Sequence, residues 1–246
     1  MRNKAGMVAT IGVALVLALG CRLVLAQIGP RYVVEVRQQK GGSGTVGKSP
    51  QGKLELAGKG LTLIRYDGLN ILAVSADAEA YSASAVSQWP AADLLIMSPA
   101  VTGRYSGLAP LATRHGLNVV LPESGGGITM PPGPRFYPMH TWDSLHLRKG
   151  KALLRVTAMP GAPGMAQVAG FVLELGNGRA SYRVYISCAP LDDLELDALP
   201  GRLPGADLAL LPVLAQPAPR LLPLRRQQLA PVALTPAGYP FTAIKH

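Results

Sequence analysis

The chain has 246 residues, a formal net charge of +10, 48% apolar residues and only 5% aromatic ones. That apolar share excludes wholesale disorder. Scattered cations without aromatic interleaving or a nucleic-acid motif exclude sequence-specific nucleic-acid binding.

Residues 1–26 read as a targeting segment. Arg2 and Lys4 precede an uncharged apolar run from Ala5 to Cys21, and Val24-Leu25-Ala26 is a pattern a signal peptidase reads, which sets cleavage before Gln27. The run is long for a cleaved signal and slightly short of the ~20 apolar residues of a spanning helix, so an uncleaved anchor is a rival reading. Ala18-Leu19-Gly20-Cys21 loosely resembles a lipobox, which makes lipidation at Cys21 a third. All three export the domain, to the periplasm or to the outer face of the cytoplasmic membrane. Loss of Arg2, Lys4 and Arg22 with a cleaved signal leaves 21 Lys and Arg against 14 Asp and Glu, a charge of +7. Attraction to an anionic membrane surface follows. With the signal gone, Cys188 has no cysteine to pair with, so the core depends on packing. Cys188 itself reads as a small buried hydrophobe beside a strand.

Residues 27–53 begin with a strand, Tyr32 to Val36, and pass into a Gly/Lys/Ser connector from Lys40 to Lys53. Regular patterning starts at Leu54. Leu61 to Tyr66, Asp67-Gly68 and Leu69 to Val74 read as a hairpin. Ala78 to Gln88 predicts a short helix ending near Pro90. Asp93 to Met97 is a continuous apolar run, the mark of a strand covered on both faces. Leu108 to His115 predicts a helix stopped by Gly116, and Asn118 to Pro122 another buried strand. Further strands are predicted at Ser144–Leu147, Ala152–Ala158, Gly170–Leu175, Tyr182–Ser187 and Asp207–Leu211, with a turn at Asn177-Gly178. Glycine (28) and proline (22) supply the many turns this requires. Strand–helix–strand units followed by a strand-rich half imply a layered α/β sandwich spanning residues 54–216. The proline-rich basic tail, residues 217–246, has no evident place in it, beyond a possible role in completing the domain.

Several phrases carry a family resemblance: Leu63 to Leu72, Ala92 to Ser98, Leu111 to Gly116, Trp142-Asp143-Ser144, Val156 to Pro160, Gly170 to Glu174, Val184 to Ile186 and Asp207 to Pro212. In their order and spacing they resemble the metallo-β-lactamase superfamily. The branch they most resemble holds the ascorbate-phosphate lactonases and the N-acyl-phosphatidylethanolamine phospholipases. The resemblance implies a single αββα metallo-β-lactamase-like sandwich after the N-terminal hydrophobic segment. It also implies a zinc site built from a His-x-His-x-Asp-His loop following the Ile-x-Ser step.

This chain departs from that pattern at each ligand position that can be located. Pro99, Val101, Gly103 and Arg104 stand in the metal loop, Pro163 where a later histidine belongs, Ala189 at the bridging aspartate and Lys59 at an early histidine. None ligates zinc in the ordinary way, and Arg104 brings a fixed positive charge to the cation's place. Zinc is the cofactor expected from the family, so the loss of its ligands implies a protein without one. Without zinc, the lowered pKa of bound water and the polarised substrate oxygen are both lost.

Two functional readings follow. The first is a non-catalytic binding or scaffold domain whose former mouth, lined by Lys59, Ser98, Arg104 and Ser187, favours an anionic small molecule. The second is a hydrolase of lactones, phosphodiesters or acyl esters with a rearranged site around His140 and Asp143. A new metal site from His140, Asp143 and His146 conflicts with strand alternation, which puts Asp143 and His146 on opposite faces. His115 reads as a C-terminal helix cation, His246 as a chain end, and Asp192 to Asp197 as a solvated acidic loop. Gly125-Gly126-Gly127 lacks the context of a phosphate loop, and Ser98 lacks a nucleophile elbow.

Overall fold

Apolar residues that alternate along β9 (Ala152–Pro160) and β10 (Val168–Gly176) put one side of each strand into a shared core. The computed structural model describes residues 30–37, 51–75, 79–98, 106–123, 130–161, 167–213, 218–225 and 230–245. The chain divides into two compact units, Met1–Pro30 and Arg31–His246. The first lies almost wholly outside the described residues, as does the connector over residues 38–50.

In the second unit, chain order runs β1 (Tyr32–Glu35), β2 (Gln51–Gly58), β3 (Leu61–Tyr66), β4 (Leu69–Val74), α1 (Ala83–Ser87) and β5 (Leu94–Met97). A 3-10 helix (Ser106–Thr113), β6 (Asn118–Pro122), β7 (Arg135–Met139) and β8 (Ser144–Lys149) precede β9 and β10. Then come β11 (Ser181–Ser187), α2 (Asp193–Arg202), β12 (Leu208–Leu211), β13 (Arg220–Pro223), β14 (Val232–Ala233) and β15 (Tyr239–Thr242). They form an eight-stranded sheet, β1-β8-β9-β10-β11-β12-β13-β14, and a seven-stranded sheet, β15-β2-β3-β4-β5-β6-β7.

The central strands are buried on both faces because they feed two cores each. Leu94 and Ile96 of β5 point between the sheets with Ile71, Val156, Phe171, Val184 and Leu208. Leu95 and Met97 point outward, with Leu72, Trp89, Leu108 and Leu111, under α1 and the 3-10 helix. On the other sheet, Tyr185, Ala209 and Leu211 pack outward against Leu199 and Leu203, under α2. The layers are therefore helix, sheet, sheet, helix: the αββα sandwich that the resemblance implies.

Local chemistry explains the element ends. Asp67 (φ +45) and Gly68 (φ +79) make the predicted hairpin turn, which requires positive φ at both positions. The helix expected over 78–88 shrinks to α1, where the Ser82 hydroxyl caps Ala85 N–H at 3.3 Å. Ala78 lies outside the described residues. The helix expected over 108–115 is instead a 3-10 helix with Pro110 inside it, because proline cannot donate an α-helical hydrogen bond. The acidic run is corrected too. It opens α2 rather than forming a loop, since Asp192 and Glu195 close a reciprocal capping box and acids favour a helix N-terminus.

The tail finds its place in both sheets. β13 and β14 extend the first beyond β12, and β15 closes the second against β2. Phe241 of β15 stacks on Tyr182 at 4.4 Å and fills the space above Gly52, where a Cβ would come within 2.0 Å of the ring. β1, ahead of the connector, pairs in parallel with β8. Asn177 accepts from the N–H groups of Arg179 and Ala180 at 3.1 Å, closing the predicted turn.

Candidate functional site at the carboxyl ends of the parallel strands

β4, β5, β6 and β7 run parallel, so their carboxyl ends share one edge of the sandwich. The His140–Asp143 corner carries the chain from β7 into β8 of the other sheet at that same edge. The carboxyl ends of β11 and β12, themselves parallel, lie there as well. Crevices at such edges are where α/β sheets place ligands.

At the centre of this mouth stand Ser98 and Cys188. Ser98 N–H donates to Val74 O at 3.0 Å, which fixes the residue directly after β5. Ser98 is 1% exposed, and its hydroxyl finds no close oxygen or nitrogen partner among the described residues, its neighbour being the Cys188 thiol. Cys188 N–H donates to Ala169 O at 2.8 Å, holding the thiol in the core between the sheets. Burial pushes that thiol up to about 12, against a smaller opposing pull from the nearby Ser98 hydroxyl. A thiol so placed stays protonated at neutral pH and is neither a good nucleophile nor a good ligand. Ser187 is equally buried and donates to Ala189 O at 2.6 Å, closing its own turn. Tyr185 donates to Ala169 O at 3.3 Å, and burial raises its phenol to about 12.

The mouth's charged groups gather at the corner. The Arg31 guanidinium, just ahead of β1, donates to Asp143 Oδ2 and, at 2.7 Å, to His140 Nδ1. Glu123, directly after β6, comes within 3.7 Å of Arg31 and 3.0 Å of His140 Nδ1. His140 N–H adds a 2.7 Å bond to Asp143 Oδ2. Burial works against the Asp143 carboxylate, yet the Arg31 and backbone hydrogen bonds outweigh it and hold the carboxyl below its usual range. The same pairing with Asp143 raises Arg31. Between Asp143 and His140, Trp142 is 67% exposed with φ +70, a left-handed backbone that bulky residues seldom adopt.

The residues picked out in the sequence meet different fates. Lys59 reaches the mouth through the β2–β3 turn, but its ammonium is held by Glu79 at 2.5 Å. Ser98 and Ser187 are at the mouth, both buried, and Ala189 is exposed beside them. Pro99, Val101, Gly103, Arg104 and Pro163 lie outside the described residues, as do Gly125-Gly126-Gly127 and His246. His146 is not brought to the corner: it sits on the outer face opposite Arg155, where burial and then that cation lower its pKa. Arg31 and Glu123 had no signal in the sequence, since Arg31 lies 112 positions before the carboxylate it binds.

Among the described residues, no three His, Cys, Asp or Glu side chains converge as a metal would require. Cys188 is kept protonated, Ala189 offers no donor, and the acids of the corner are engaged by Arg31.

No family profile matches this sequence, and no curated protein matches it. Solved structures with a similar fold include the metallo-beta-lactamase fold protein YhfI from Bacillus subtilis, 13% identical with a TM-score of 0.40 over 66% of this chain and 70% of that one. A B3 metallo-beta-lactamase with an active-site glutamic acid is 15% identical, with a TM-score of 0.37 over 65% of this chain and 74% of that one. The Rm3 metallo-beta-lactamase is 13% identical, with a TM-score of 0.38 over 67% and 77% of the two chains.

Proposed function

We propose that this chain is an exported, non-catalytic domain of metallo-β-lactamase fold with a scaffold or binding role. One observation carries the reading: a built-in cation, the Arg31 guanidinium, lies between Glu123, His140 and Asp143, the acids and imidazole that the described mouth gathers. A guanidinium keeps its charge at any physiological pH, so it balances one of the two carboxylates, Asp143 first, and supplies no activated water. Lys59 is engaged by Glu79, and the hydroxyls of Ser98 and Ser187 are buried, so the described wall favours a scaffold over a pocket for small anions. Metal analysis of the full-length protein, grown with zinc, manganese and iron, tests this. The expected result is far less than one metal per chain, and stoichiometric metal overturns the proposal.

The second reading, a hydrolase with a rearranged site, has the His140–Asp143 contact at 3.5 Å in its favour. It requires turnover of lactone, phosphodiester or ester substrates that disappears in His140→Ala. The Arg31 guanidinium on Asp143 argues against it, because that carboxylate is already paired with a fixed cation.

A further inference from the structure

The end of the sandwich opposite the mouth gathers cations that sequence alone leaves scattered. The β8–β9 turn carries Arg148, Lys149 and Lys151 around Gly150. Parallel pairing brings Arg37 beside them, since Val36 N–H donates to Arg148 O at 2.9 Å. Lys149 reaches across to the other sheet and binds both oxygens of Asp93, at 2.9 and 2.7 Å. The Asn118 side chain donates to Asp93 O at 3.1 Å, and Asn118 stands in register with Arg135 at the start of β7. Arg37, Arg135, Arg148 and Lys151 are exposed, and none forms an ion pair among the described residues. The patch's carboxylates are Asp93, engaged by Lys149, and Glu35, which is in register with Arg148 without an ion pair. Val33, 72% exposed on edge strand β1, borders the same side.

We infer that this corner docks on an anionic lipid bilayer. With Lys149 and Asp93 cancelling each other, four cations stand against the one carboxylate Glu35, and a bilayer of acidic headgroups neutralises that positive excess over a broad surface. The exposed Val33 adds a small apolar contact at the interface. A single-stranded nucleic acid would want an aromatic stacking surface here, and the exposed large aromatic among the described residues, Trp142, is at the mouth instead. β1 is also the strand that follows the apolar N-terminal run in sequence. Docking goes beyond the scaffold reading and stands without it.

The test is cosedimentation of the full-length chain with phosphatidylcholine vesicles, with and without phosphatidylglycerol. Comparing the ratio of the two affinities between variants cancels the contribution of the N-terminal segment, whose Arg2, Lys4 and Arg22 are common to all of them. Four proteins are compared: wild type, the patch triple Arg135→Gln/Arg148→Gln/Lys151→Gln, the patch single Lys151→Gln, and its equal-charge control Arg220→Gln, an exposed cation at the mouth end of β13. Each surface cation contributes about fivefold, so the patch triple is expected to lose about two orders of magnitude of anionic preference. The control keeps most of it, and raising the salt erases the wild-type preference. Equal losses in Lys151→Gln and Arg220→Gln overturn the inference, as does a wild type without anionic preference. Tighter, patch-dependent binding to duplex DNA than to vesicles also overturns it. The far-ultraviolet spectrum of each protein confirms that all four are folded.

Discussion

The two ends of β7 and β8 handle charge in opposite ways. At the mouth, one guanidinium serves Asp143, His140 and Glu123, so the charges there are satisfied within the fold. At the far end, Arg37, Arg135, Arg148 and Lys151 stand without ion pairs among the described residues, around the pair Lys149–Asp93. A closed set of charges holds structure together and leaves little to offer a ligand. An open set destabilises slightly and offers itself to a partner. The contrast points to a mouth that is structural and to a far end that meets the environment.

The largest effect expected of a closed mouth is on Cys188 reactivity. A thiol pushed up to about 12 has about a thousandfold less thiolate at neutral pH than an ordinary cysteine. Labelling by a disulfide reagent, mapped to the Cys188 peptide, should therefore be negligible in the folded chain and rapid in denaturant. Fast labelling of the native protein would reopen the mouth as a site.

Next in size is the pair that anchors the far end. Asp93 also accepts from Asn70 N–H at 2.9 Å, so Asp93→Ala strands a largely buried Lys149 and frees a backbone donor. A loss of about 2–3 kcal/mol in urea-derived stability is expected. An unchanged midpoint would mean the pair does not tie the sheets together.

The corner is more exposed, so solvent screening reduces its worth: Asp143→Asn should cost about 1 kcal/mol at neutral pH. Because the folded state holds the Asp143 carboxyl below its usual range, its contribution is fully present above about pH 4 and fades as the pH falls through the folded value. Urea midpoints of wild type and variant should thus converge in acid. A gap that does not vary with pH would show that the carboxylate charge is not what matters.

Smaller still is Ser98→Ala. It removes a buried hydroxyl whose one neighbouring polar group among the described residues is the weakly bonding Cys188 thiol, so stability should stay level or rise by up to about 1 kcal/mol. A clear loss would reveal that the hydroxyl has a stronger partner. Lys151→Gln, exposed and unpaired, should change stability by less than about 0.5 kcal/mol while weakening attachment to acidic vesicles.

Much of the framework was legible in the sequence because it rests on local rules. The Asp67-Gly68 turn, the doubly buried run Leu94–Met97 and the Asn177-Gly178 turn each announce themselves within a few residues. The acidic stretch from Asp192 failed as a loop because a capping box needs only two residues, and these were read as a charge run. The tail was unreadable because β13, β14 and β15 are short and take their stability from the sheets they join.

By itself, then, the sequence determined a layered α/β sandwich behind an apolar N-terminal segment, and a chain whose expected zinc positions hold Lys59, Pro99, Val101, Gly103, Arg104, Pro163 and Ala189. Tertiary structure alone decided which charges meet. Arg31 reaches Asp143, and Arg37 comes beside Arg148, only because β1 pairs with β8 in parallel. Hydrophobic periodicity records which face of a strand is buried. It carries no record of which distant strand will lie alongside, and charges a hundred positions apart become neighbours only through that pairing.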